Sequence, residues 1–276
     1  MAKKHTVLVT GASTGIGRAT AEYLAERGAR VLAGARSPAA LDSLERIDGV
    51  TAIQLDVCDQ RSVEAARRRA EGIAGHLDGL VNNAGTAVAG PWMDVSPEML
   101  QAQLEVNLIG VHRVTRAFFP MLLAARGTIV NISSTGGRVA MPFMGPHVAS
   151  KFALEALSDS LRRELATCGV AVCVVQPGAI RTPIWTKTDP DRAVASPLFG
   201  DRARAFGRMW IERAARNGMP PARVARVVAR ALAAASPRPR YLVTEANLTT
   251  RLAGWLPDRW LDAIVARAVR GAVAAT

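Results

Sequence analysis

Aromatic residues are scarce in this sequence, at 5% of its 276 residues, and only two of them are tyrosines. Cysteine is equally sparse, and the spacing of Cys58, Cys168 and Cys173 fits neither a metal-ligand pattern nor a disulfide framework. We therefore expect a protein of the reducing cytoplasm without a metal site. No window reaches the ~18 uninterrupted apolar residues of a transmembrane helix. The short apolar run after Lys3 and Lys4 leads into a glycine-rich loop, so we expect no signal peptide.

Aliphatic and basic residues are abundant instead. Hydrophobic residues make up 49% of the chain, which at this length favours one α/β domain, residues 1–276, with a full core. Lys and Arg number 35 against 23 Asp and Glu, which gives a net charge of +12. Such a charge is compatible with nucleic-acid binding. However, the arginines are scattered and only Arg67–Arg69 form a run, so we expect solvated basic faces and no nucleic-acid partner.

A strand pattern at Thr6–Thr10 is followed by a glycine-rich loop and a helix pattern to about Arg27. The loop reads Gly11-Ala12-Ser13-Thr14-Gly15-Ile16-Gly17. Gly11 permits a sharp turn, Gly15 permits close approach of the backbone to a pyrophosphate, and Gly17 permits close packing of the helix. The free N–H groups at the start of the helix would meet the phosphates. The pattern predicts a dinucleotide-binding turn.

The second strand pattern, Ala29–Ala35, ends without the carboxylate that would bind the ribose 2′-hydroxyl of NAD. Arg36 follows instead, and its guanidinium can pair with a 2′-phosphate. We therefore expect NADP(H) rather than NAD(H) as the cofactor. The basic residue that often precedes the second glycine in NADP-binding proteins is missing, because Thr14 stands there. A solvated arginine that starts the next loop is the alternative interpretation.

Further apolar segments continue the alternation of strands and helices. Strand patterns lie at Ile53–Val57, Thr128–Ile132, Val170–Gln176 and Tyr241–Thr244. The third of these is apolar throughout, as expected when helices cover both faces of a parallel sheet. We predict a single doubly wound, Rossmann-type α/β domain with a parallel sheet flanked by helices.

The stretch from Ser133 to Lys151 carries the candidate catalytic residues. A strand delivers Ser134, and a helix that begins near Pro146 places His147 and Lys151 one turn apart on the same face. Together with the glycine loop and the sequence Asn82-Asn83-Ala84-Gly85, this layout resembles the short-chain dehydrogenase/reductase family. The sequence Lys151-Phe152-Ala153-Leu154-Glu155-Ala156-Leu157-Ser158 resembles its hydroxysteroid and retinol dehydrogenase branch. Where that family has a catalytic tyrosine, four residues before the lysine, this chain has His147.

The resemblance covers the chain to about Tyr241 and implies roles for single residues. The serine would polarise the substrate oxygen, the lysine would bind the nicotinamide ribose, and Asn107 would kink its helix and hold a relay water, unless it is merely solvated. Asp56 would contact adenine or cap the next helix. The catalytic candidates are Ser134, His147, Lys151 and Asn107. The cofactor candidates are Gly11, Ser13, Gly15, Ile16, Gly17, Arg36, Asp56, Val57, Asn83, Ala84, Gly85, Lys151, Pro177, Gly178, Ile180 and Thr182.

Histidine changes the chemistry that such a site can perform. Tyr23, in the first helix, and Tyr241, in the last strand, cannot replace the missing phenol. An imidazole has roughly 2 Å less reach, whereas a proton donor must come within about 2.6–3.2 Å of its target. Its reference pKa is about 6.5 instead of about 10, and Lys151 with an oxidised nicotinamide would lower it further. A neutral imidazole is a usable base and a poor acid at pH 7.

Three hypotheses remain open on the sequence. The first is an NADP-dependent carbonyl or alcohol oxidoreductase for a small-to-medium apolar substrate, in which His147, Ser134 and water replace the tyrosine. The second is a non-redox enzyme that catalyses dehydration, isomerisation or cyclisation in the same pocket. The third is a catalytically silent nucleotide-binding protein or an engineered Tyr-to-His variant. Retention of Ser134, Lys151 and Asn107 favours catalysis, and we expect the first.

The C-terminal third carries no further motif. The segment at about 183–219 corresponds to the substrate lid of the family. The aromatic and apolar residues that would line a pocket there, or pack within the lid, are Trp185, Phe199, Phe206, Met209 and Trp210. An amphipathic tail at about 248–273 would cover the pocket, join a subunit interface or touch a membrane, and we expect no membrane contact. The family implies a homodimer or homotetramer through the helix at 147–166.

Overall fold

Seven parallel strands form the central sheet of the computed structural model, which describes residues 5–184, 198–245 and 256–274. The strands are β1 (Thr6–Val9), β2 (Arg30–Ala35), β3 (Val50–Gln54), β4 (Gly79–Asn82), β5 (Thr128–Ile132), β6 (Ala171–Pro177) and β7 (Arg240–Val243). Their order across the sheet is β3-β2-β1-β4-β5-β6-β7. Neighbouring strands are in parallel register throughout. This arrangement confirms the predicted doubly wound fold.

Helices connect the strands and cover both faces of the sheet. They are α1 (Gly15–Ala25), α2 (Pro38–Glu45), α3 (Gln60–Ala74), α4 (Pro97–Leu104), α5 (Gly110–Ala125), α6 (Gly145–Leu165), α7 (Gly200–Asn217), α8 (Pro221–Ala233) and α9 (Asp258–Ala274). A π-helical turn, Glu105–Ile109, joins α4 to α5. The start of α4 follows its sequence signal, because the Ser96 side chain accepts a hydrogen bond from the Met99 N–H and Pro97 is the first helical residue.

The core lies in two layers because successive strand residues point to opposite faces. Val7 and Val9 of β1 pack in the layer that contains Val228 of α8 and the apolar sides of α1 and α2. Leu8 packs in the other layer, with Phe118 of α5 and the apolar sides of α3 and α6. The carboxyl ends of the strands are thereby held in one row, which is where ligands bind in folds of this type.

The third strand lies earlier in the chain than its apolar pattern predicts. The expected strand was Ile53–Val57, whereas the sheet contains Val50–Gln54. Leu55 and Val57 are 3% and 7% exposed, so both are core residues although they lie beyond the strand. Between them Asp56 turns the chain, since its carboxylate accepts a hydrogen bond from the backbone N–H two residues later. Because this turn contains apolar core residues, its sequence shows the apolar pattern that is typical of a strand, and the predicted strand was placed too late in the chain.

One helical stretch, Pro97–Ala125, is long and apolar enough to span a membrane by length and composition. Its apolar side chains Val114, Phe118 and Leu122 are fully buried against the sheet. The same stretch buries the polar side chain of Asn107 in hydrogen bonds to other elements. These contacts identify it as a core helix.

The segments expected to form the lid and the tail contain the described helices α7 and α9, which pack against each other. Phe206 of α7 is 2% exposed. Its ring meets Phe143 at 5.8 Å and Trp210 at 6.2 Å between centroids, both edge to face. Phe206 therefore packs within the lid and against the loop before α6, which was the alternative to pocket lining. Trp185 lies outside the described residues, and Trp260 of α9 is 67% exposed.

Candidate active site

A groove of about 500 Å³ runs along the carboxyl ends of the strands, across the point where β1 and β4 are neighbours. The structure brings almost all of the candidate residues to this one groove. Those that line it are Gly11, Ser13, Gly15, Ile16, Arg36, Asp56, Val57, Asn83, Ala84, Gly85, Ser134, His147, Lys151, Pro177, Gly178, Ile180 and Thr182. Gly17 and Asn107 are not among its lining residues.

The glycine loop between β1 and α1 adopts a conformation that needs glycine at two positions. Gly11 and Gly15 have φ of 63° and 59°, in the left-handed region that other residues rarely adopt. At Thr14, which precedes α1, no side chain caps the helix. The N–H groups of the first turn are therefore left to a ligand, and an anion is the ligand that they favour. A Cβ on Gly15 would lie 3.2 Å from Thr182, so the loop after β6 reaches this part of the groove.

Gly17 lies behind the glycine loop, where it permits packing and makes no part of the groove wall. A Cβ at this position would lie 2.3 Å from the Gly11 carbonyl oxygen and 2.4 Å from Asn83 Nδ2. Both distances are shorter than any tolerated contact, so only glycine fits. Gly17 therefore shapes the loop from behind, and its assignment as a cofactor-binding residue stays a prediction.

Thr10 and Asn83 tie the glycine loop to the loop after β4. Thr10 Oγ1 accepts hydrogen bonds from the backbone N–H groups of Asn83 and Ala84, each at 3.0 Å. Asn83 Nδ2 donates to the carbonyl oxygens of Thr10 at 2.9 Å and Gly11 at 3.1 Å. The two loops thus form one rigid wall of the groove. The sequence analysis missed Thr10, although a threonine directly before the first glycine was the available signal.

Arg36 stands at the rim of the groove and is held only loosely. Its side chain is 73% exposed, and Nη1 lies 3.9 Å from Asp56 Oδ2. An exposed ion pair of this kind contributes at most about 1 kcal/mol, so an anionic ligand can displace it. Asp56 lines the groove and does not cap the next helix, because Asp59 is the N-cap of α3. Nearby, burial and the Asp56 carboxylate raise the pKa of the Cys58 thiol.

Ser134, His147 and Lys151 meet where β5 ends and α6 begins. Ser134 has extended backbone, and its Oγ accepts a hydrogen bond from the Gly136 N–H at 3.0 Å. His147 lies in the first turn of α6 and is 8% exposed. Lys151 is 7% exposed, and its Nζ donates to the Ile132 carbonyl oxygen at 2.8 Å. The strand end and the helix face therefore position the three side chains as their sequence spacing predicts.

The two basic side chains of this cluster both have lowered pKa values. Burial, followed by the charge of Lys151, lowers the pKa of His147 to about 4, against a smaller opposing effect of a hydrogen bond to the Thr86 backbone. Burial lowers the pKa of Lys151 to about 8, while the Glu155 carboxylate acts in the opposite direction. The sequence predicted a low histidine pKa from charge, whereas burial is the larger cause. At pH 7 the imidazole is neutral and the lysine is mostly charged.

Asn107 forms the π-helical turn and lies behind the groove, fully buried. Its Nδ2 donates to the Thr86 carbonyl oxygen and to Ser150 Oγ, both at 3.0 Å, and its Oδ1 accepts from the Thr86 N–H at 2.9 Å. Ser150 Oγ in turn donates to the His147 carbonyl oxygen at 2.7 Å. The expected helix distortion is present, and the side chain holds the Thr86 loop and Ser150 in place. Its part in holding a relay water stays a prediction.

Gln103 is a further groove residue that the sequence analysis missed. It is fully buried, its Oε1 accepts from the Val88 N–H at 2.6 Å, and its Nε2 donates to the Thr86 carbonyl oxygen at 2.8 Å. It thereby fixes the loop that faces His147. The available signal was its position four residues before Asn107, on the same face of the helix.

A buried carboxylate lies one turn beyond Lys151 on α6. Glu155 is 5% exposed, and its two oxygens accept hydrogen bonds from Gln176 Nε2 and Arg240 Nε, each at 2.9 Å. Arg240 also donates to Asp159 at 2.8 Å, which lowers the pKa of that carboxyl group. This network joins α6 to β6 and to the edge strand β7.

Comparison with known proteins gives consistent matches. Residues 5–193 match the sequence model of the short chain dehydrogenase family. The 3-ketodihydrosphingosine reductase of Bacteroides thetaiotaomicron is 34% identical over 264 residues, which cover 93% of this chain and 94% of that protein. Retinol dehydrogenase 5 of Homo sapiens is 36% identical over 281 residues, which cover 94% of this chain and 87% of that protein.

Solved structures match the fold over nearly the whole chain. A short-chain dehydrogenase from Streptomyces avermitilis has a TM-score of 0.82 at 28% identity and covers 98% of this chain and 99% of its own. A Burkholderia cenocepacia short chain dehydrogenase in complex with NADP has a TM-score of 0.74 at 28% identity, with 95% and 98% covered. A Burkholderia phymatum short chain dehydrogenase/reductase in complex with NAD has a TM-score of 0.79 at 27% identity, with 91% and 93% covered.

Proposed function

This chain belongs to the short-chain dehydrogenase family, and on that basis we propose that it is an NADP(H)-dependent carbonyl or alcohol oxidoreductase for a small-to-medium apolar substrate. The family consists of oxidoreductases that use a nicotinamide cofactor and small-molecule substrates. One observation carries the proposal: a single groove joins the glycine loop and Arg36 to Ser134, His147 and Lys151.

The groove residues fit a dinucleotide in order along its length. The N–H groups at the start of α1 would hold the pyrophosphate, Arg36 would hold a 2′-phosphate, and Asp56 lies beside it for the adenine end. Lys151 would bind the nicotinamide ribose, and Thr182 would meet the carboxamide or the phosphates. The bound cofactor would supply or accept the hydride. These assignments support NADP(H) because β2 ends in Ala35, without the carboxylate that commonly binds the ribose 2′-hydroxyl of NAD.

The protein groups then have to manage the substrate oxygen and its proton. The hydroxyl of Ser134 can donate a hydrogen bond to that oxygen from the end of β5. The neutral imidazole of His147 can accept the proton of an alcohol at pH 7, and its pKa of about 4 makes it a weak base. Reduction of a carbonyl needs a proton donor, and a histidine with a pKa of about 4 is a poor one at that pH.

Cofactor preference is tested by equilibrium titration of the protein with NADPH and NADH. We expect tighter binding of NADPH, and we expect Arg36→Ala to weaken it by roughly 10–100-fold, the value of one charge-assisted hydrogen-bonded pair. Arg46→Ala is the matched control, because it removes another exposed positive charge, at the end of α2. Equal affinities for the two cofactors, or equal losses in the two variants, would contradict the assignment.

The reaction is tested with NADPH and a panel of apolar ketones, following product and nucleotide together. His147→Tyr should raise carbonyl reduction by roughly 10²–10⁴-fold, the range for a positioned acid or base. The motivation is that Ser134 and Lys151 are already in place. A protein that binds nucleotide but reduces no ketone, before and after the substitution, would contradict the proposal.

A second candidate function is a non-redox reaction such as dehydration, isomerisation or cyclisation. The observation that favours it is the neutral, buried imidazole of His147, because a general base suffices for proton abstraction. Product formation without any change in the amount of reduced nicotinamide would identify this class. His147→Tyr would then abolish the native reaction and add little hydride transfer.

We also propose that the protein is cytoplasmic and forms a homodimer or homotetramer. The three cysteines are free thiols, which suits a reducing compartment. Phe152 of α6 and Leu123 of α5 are 43% and 42% exposed, and apolar side chains on these long helices suit a two-fold contact.

A further inference from the structure

The reduction direction of the proposed reaction leaves open which group supplies the proton. Among the described residues that line the groove, the titratable side chains are Arg36, Asp56, Cys58, His147 and Lys151. The first three follow β2 and β3, at the end of the groove away from β5. The two on α6 are therefore the candidates beside Ser134.

His147 is a poor candidate on geometry alone. It is 8% exposed, and no described residue hydrogen-bonds its buried Nδ1. A protonated imidazole there would lie one helical turn from the Lys151 ammonium, and among the described residues only a hydrogen bond to the Thr86 backbone favours the charged form. The site is built to keep this side chain neutral.

Lys151 has a different environment. One of its three N–H donors is used by the Ile132 carbonyl oxygen at 2.8 Å. The nicotinamide ribose that Lys151 is proposed to bind would take another, which leaves one for the substrate oxygen or a water. Its Nζ would lie 4.0 Å from a Cβ on Gly85, so it faces the loop across the groove. Burial in this position lowers the pKa of the ammonium to about 8, close to a working pH.

The charges around Lys151 leave its proton available. The titratable groups that face it, His147 and Glu155, both come from α6. The Glu155 carboxylate is occupied by Gln176 and by Arg240 of β7, so it forms no direct ion pair with the lysine. From β5 and the loop after β4, the described groups near Nζ are the uncharged Ile132 carbonyl and Gly85.

We propose that Lys151 is the proton donor for carbonyl reduction in this protein, in place of the missing tyrosine. The inference depends on the proposed function. A hydride from the reduced nicotinamide adds to the carbonyl carbon, and the carbonyl oxygen takes a proton from the Lys151 ammonium, directly or through one water. The N–H bond of the ammonium breaks, the O–H bond of the alcohol forms, and the neutral amine regains its proton from solvent.

The charge of the lysine can be separated from its acidity by Lys151→Arg. Arginine keeps a positive charge and N–H donors for Ile132 and for a ribose, but it does not release a proton at working pH. Because Lys151 is also proposed to hold the ribose, NADPH affinity is measured in parallel and the rates are compared at saturating NADPH, where we expect single-turnover ketone reduction to fall by roughly 10²–10⁴-fold. His147→Asn should leave the pH dependence of reduction in place, with a plateau below about pH 8 and a decline above it.

A direct titration gives a readout besides activity. The sequence contains four lysines, Lys3, Lys4, Lys151 and Lys187, so ¹³C-lysine labelling gives few signals, and Lys151→Arg assigns the one of interest. We expect one signal that titrates near pH 8. Three outcomes would overturn the proposal: no signal titrating near 8, reduction by Lys151→Arg within tenfold of the original rate, or reduction that rises below pH 6 and loses that rise in His147→Asn. If the unaltered protein binds NADPH but reduces no ketone, the proposed function fails and the inference fails with it.

Discussion

The buried imidazole of His147 makes the stability of this protein depend on pH in a defined window. Its pKa is about 4 in the folded protein and 6.5 as the ordinary value. Above pH 6.5 neither state binds the proton and no penalty exists. As the pH falls from 6.5 to 4, the unfolded chain becomes protonated while the folded site stays neutral, so folding stability is lost. Below pH 4 both states are protonated and the penalty is constant.

The size of the effect follows from the pKa difference. One unit corresponds to about 1.4 kcal/mol, so the full penalty is about 3 kcal/mol, of which about 2 kcal/mol is present at pH 5. Other groups also titrate in this range, and the effect must therefore be measured as a difference between the protein and His147→Phe, which keeps an aromatic ring and cannot bind a proton.

Urea unfolding at pH 7 and pH 5 measures this difference. We expect the free energy of unfolding to fall by about 2 kcal/mol more in the unaltered protein than in His147→Phe. His112→Asn is the control, because it removes an exposed imidazole from α5 and should show no such difference. Equal losses in the unaltered protein and in His147→Phe would refute the argument that burial keeps His147 neutral.

Three further substitutions test the packing of the molecule and its self-association. Gly17→Ala places a Cβ 2.3 Å from the Gly11 carbonyl oxygen, so we expect a loss of about 1–3 kcal/mol in urea unfolding and weaker nucleotide binding; unchanged binding would contradict the described loop packing. Arg240→Met removes one of the two donors of buried Glu155 and should cost about 3 kcal/mol, which Glu155→Gln in the same chain should partly restore. Phe152→Glu should convert the proposed oligomer to a 29.3 kDa monomer in light scattering, whereas a monomer before the substitution would contradict self-association.

The sequence predicted those parts of the site whose geometry is set by short spacings. Gly11 and Gly15 lie in one loop, and His147 and Lys151 are one helical turn apart, so local chain geometry nearly determines their relation. Contacts between distant segments could not be predicted in this way. Thr10 bonds to residues more than 70 positions away, and that contact exists only because β1 and β4 are neighbours in the sheet.

The sequence predicted the low pKa of His147 from only one of its two causes. The charge of Lys151 is visible in the sequence, but the burial that contributes more depends on how the loop at Thr86 and the helix α6 pack together. The third strand shows the same limit. Leu55 and Val57 are apolar because they enter the core, and only the sheet register shows that they do so outside β3.

The hydrogen bond between Glu155 and Arg240 spans 85 positions of the chain, which has a consequence for biosynthesis. Until the strand that carries Arg240 is added at the sheet edge, a nascent chain holds a carboxylate on α6 with only part of its bonding complete, and burying it in that state is unfavourable. We therefore expect α6, which carries His147 and Lys151, to reach its final packed position late, after about 240 residues have left the ribosome. The same carboxylate raises the pKa of Lys151. We therefore expect Lys151 to reach its final pKa only after β7 has joined the edge of the sheet.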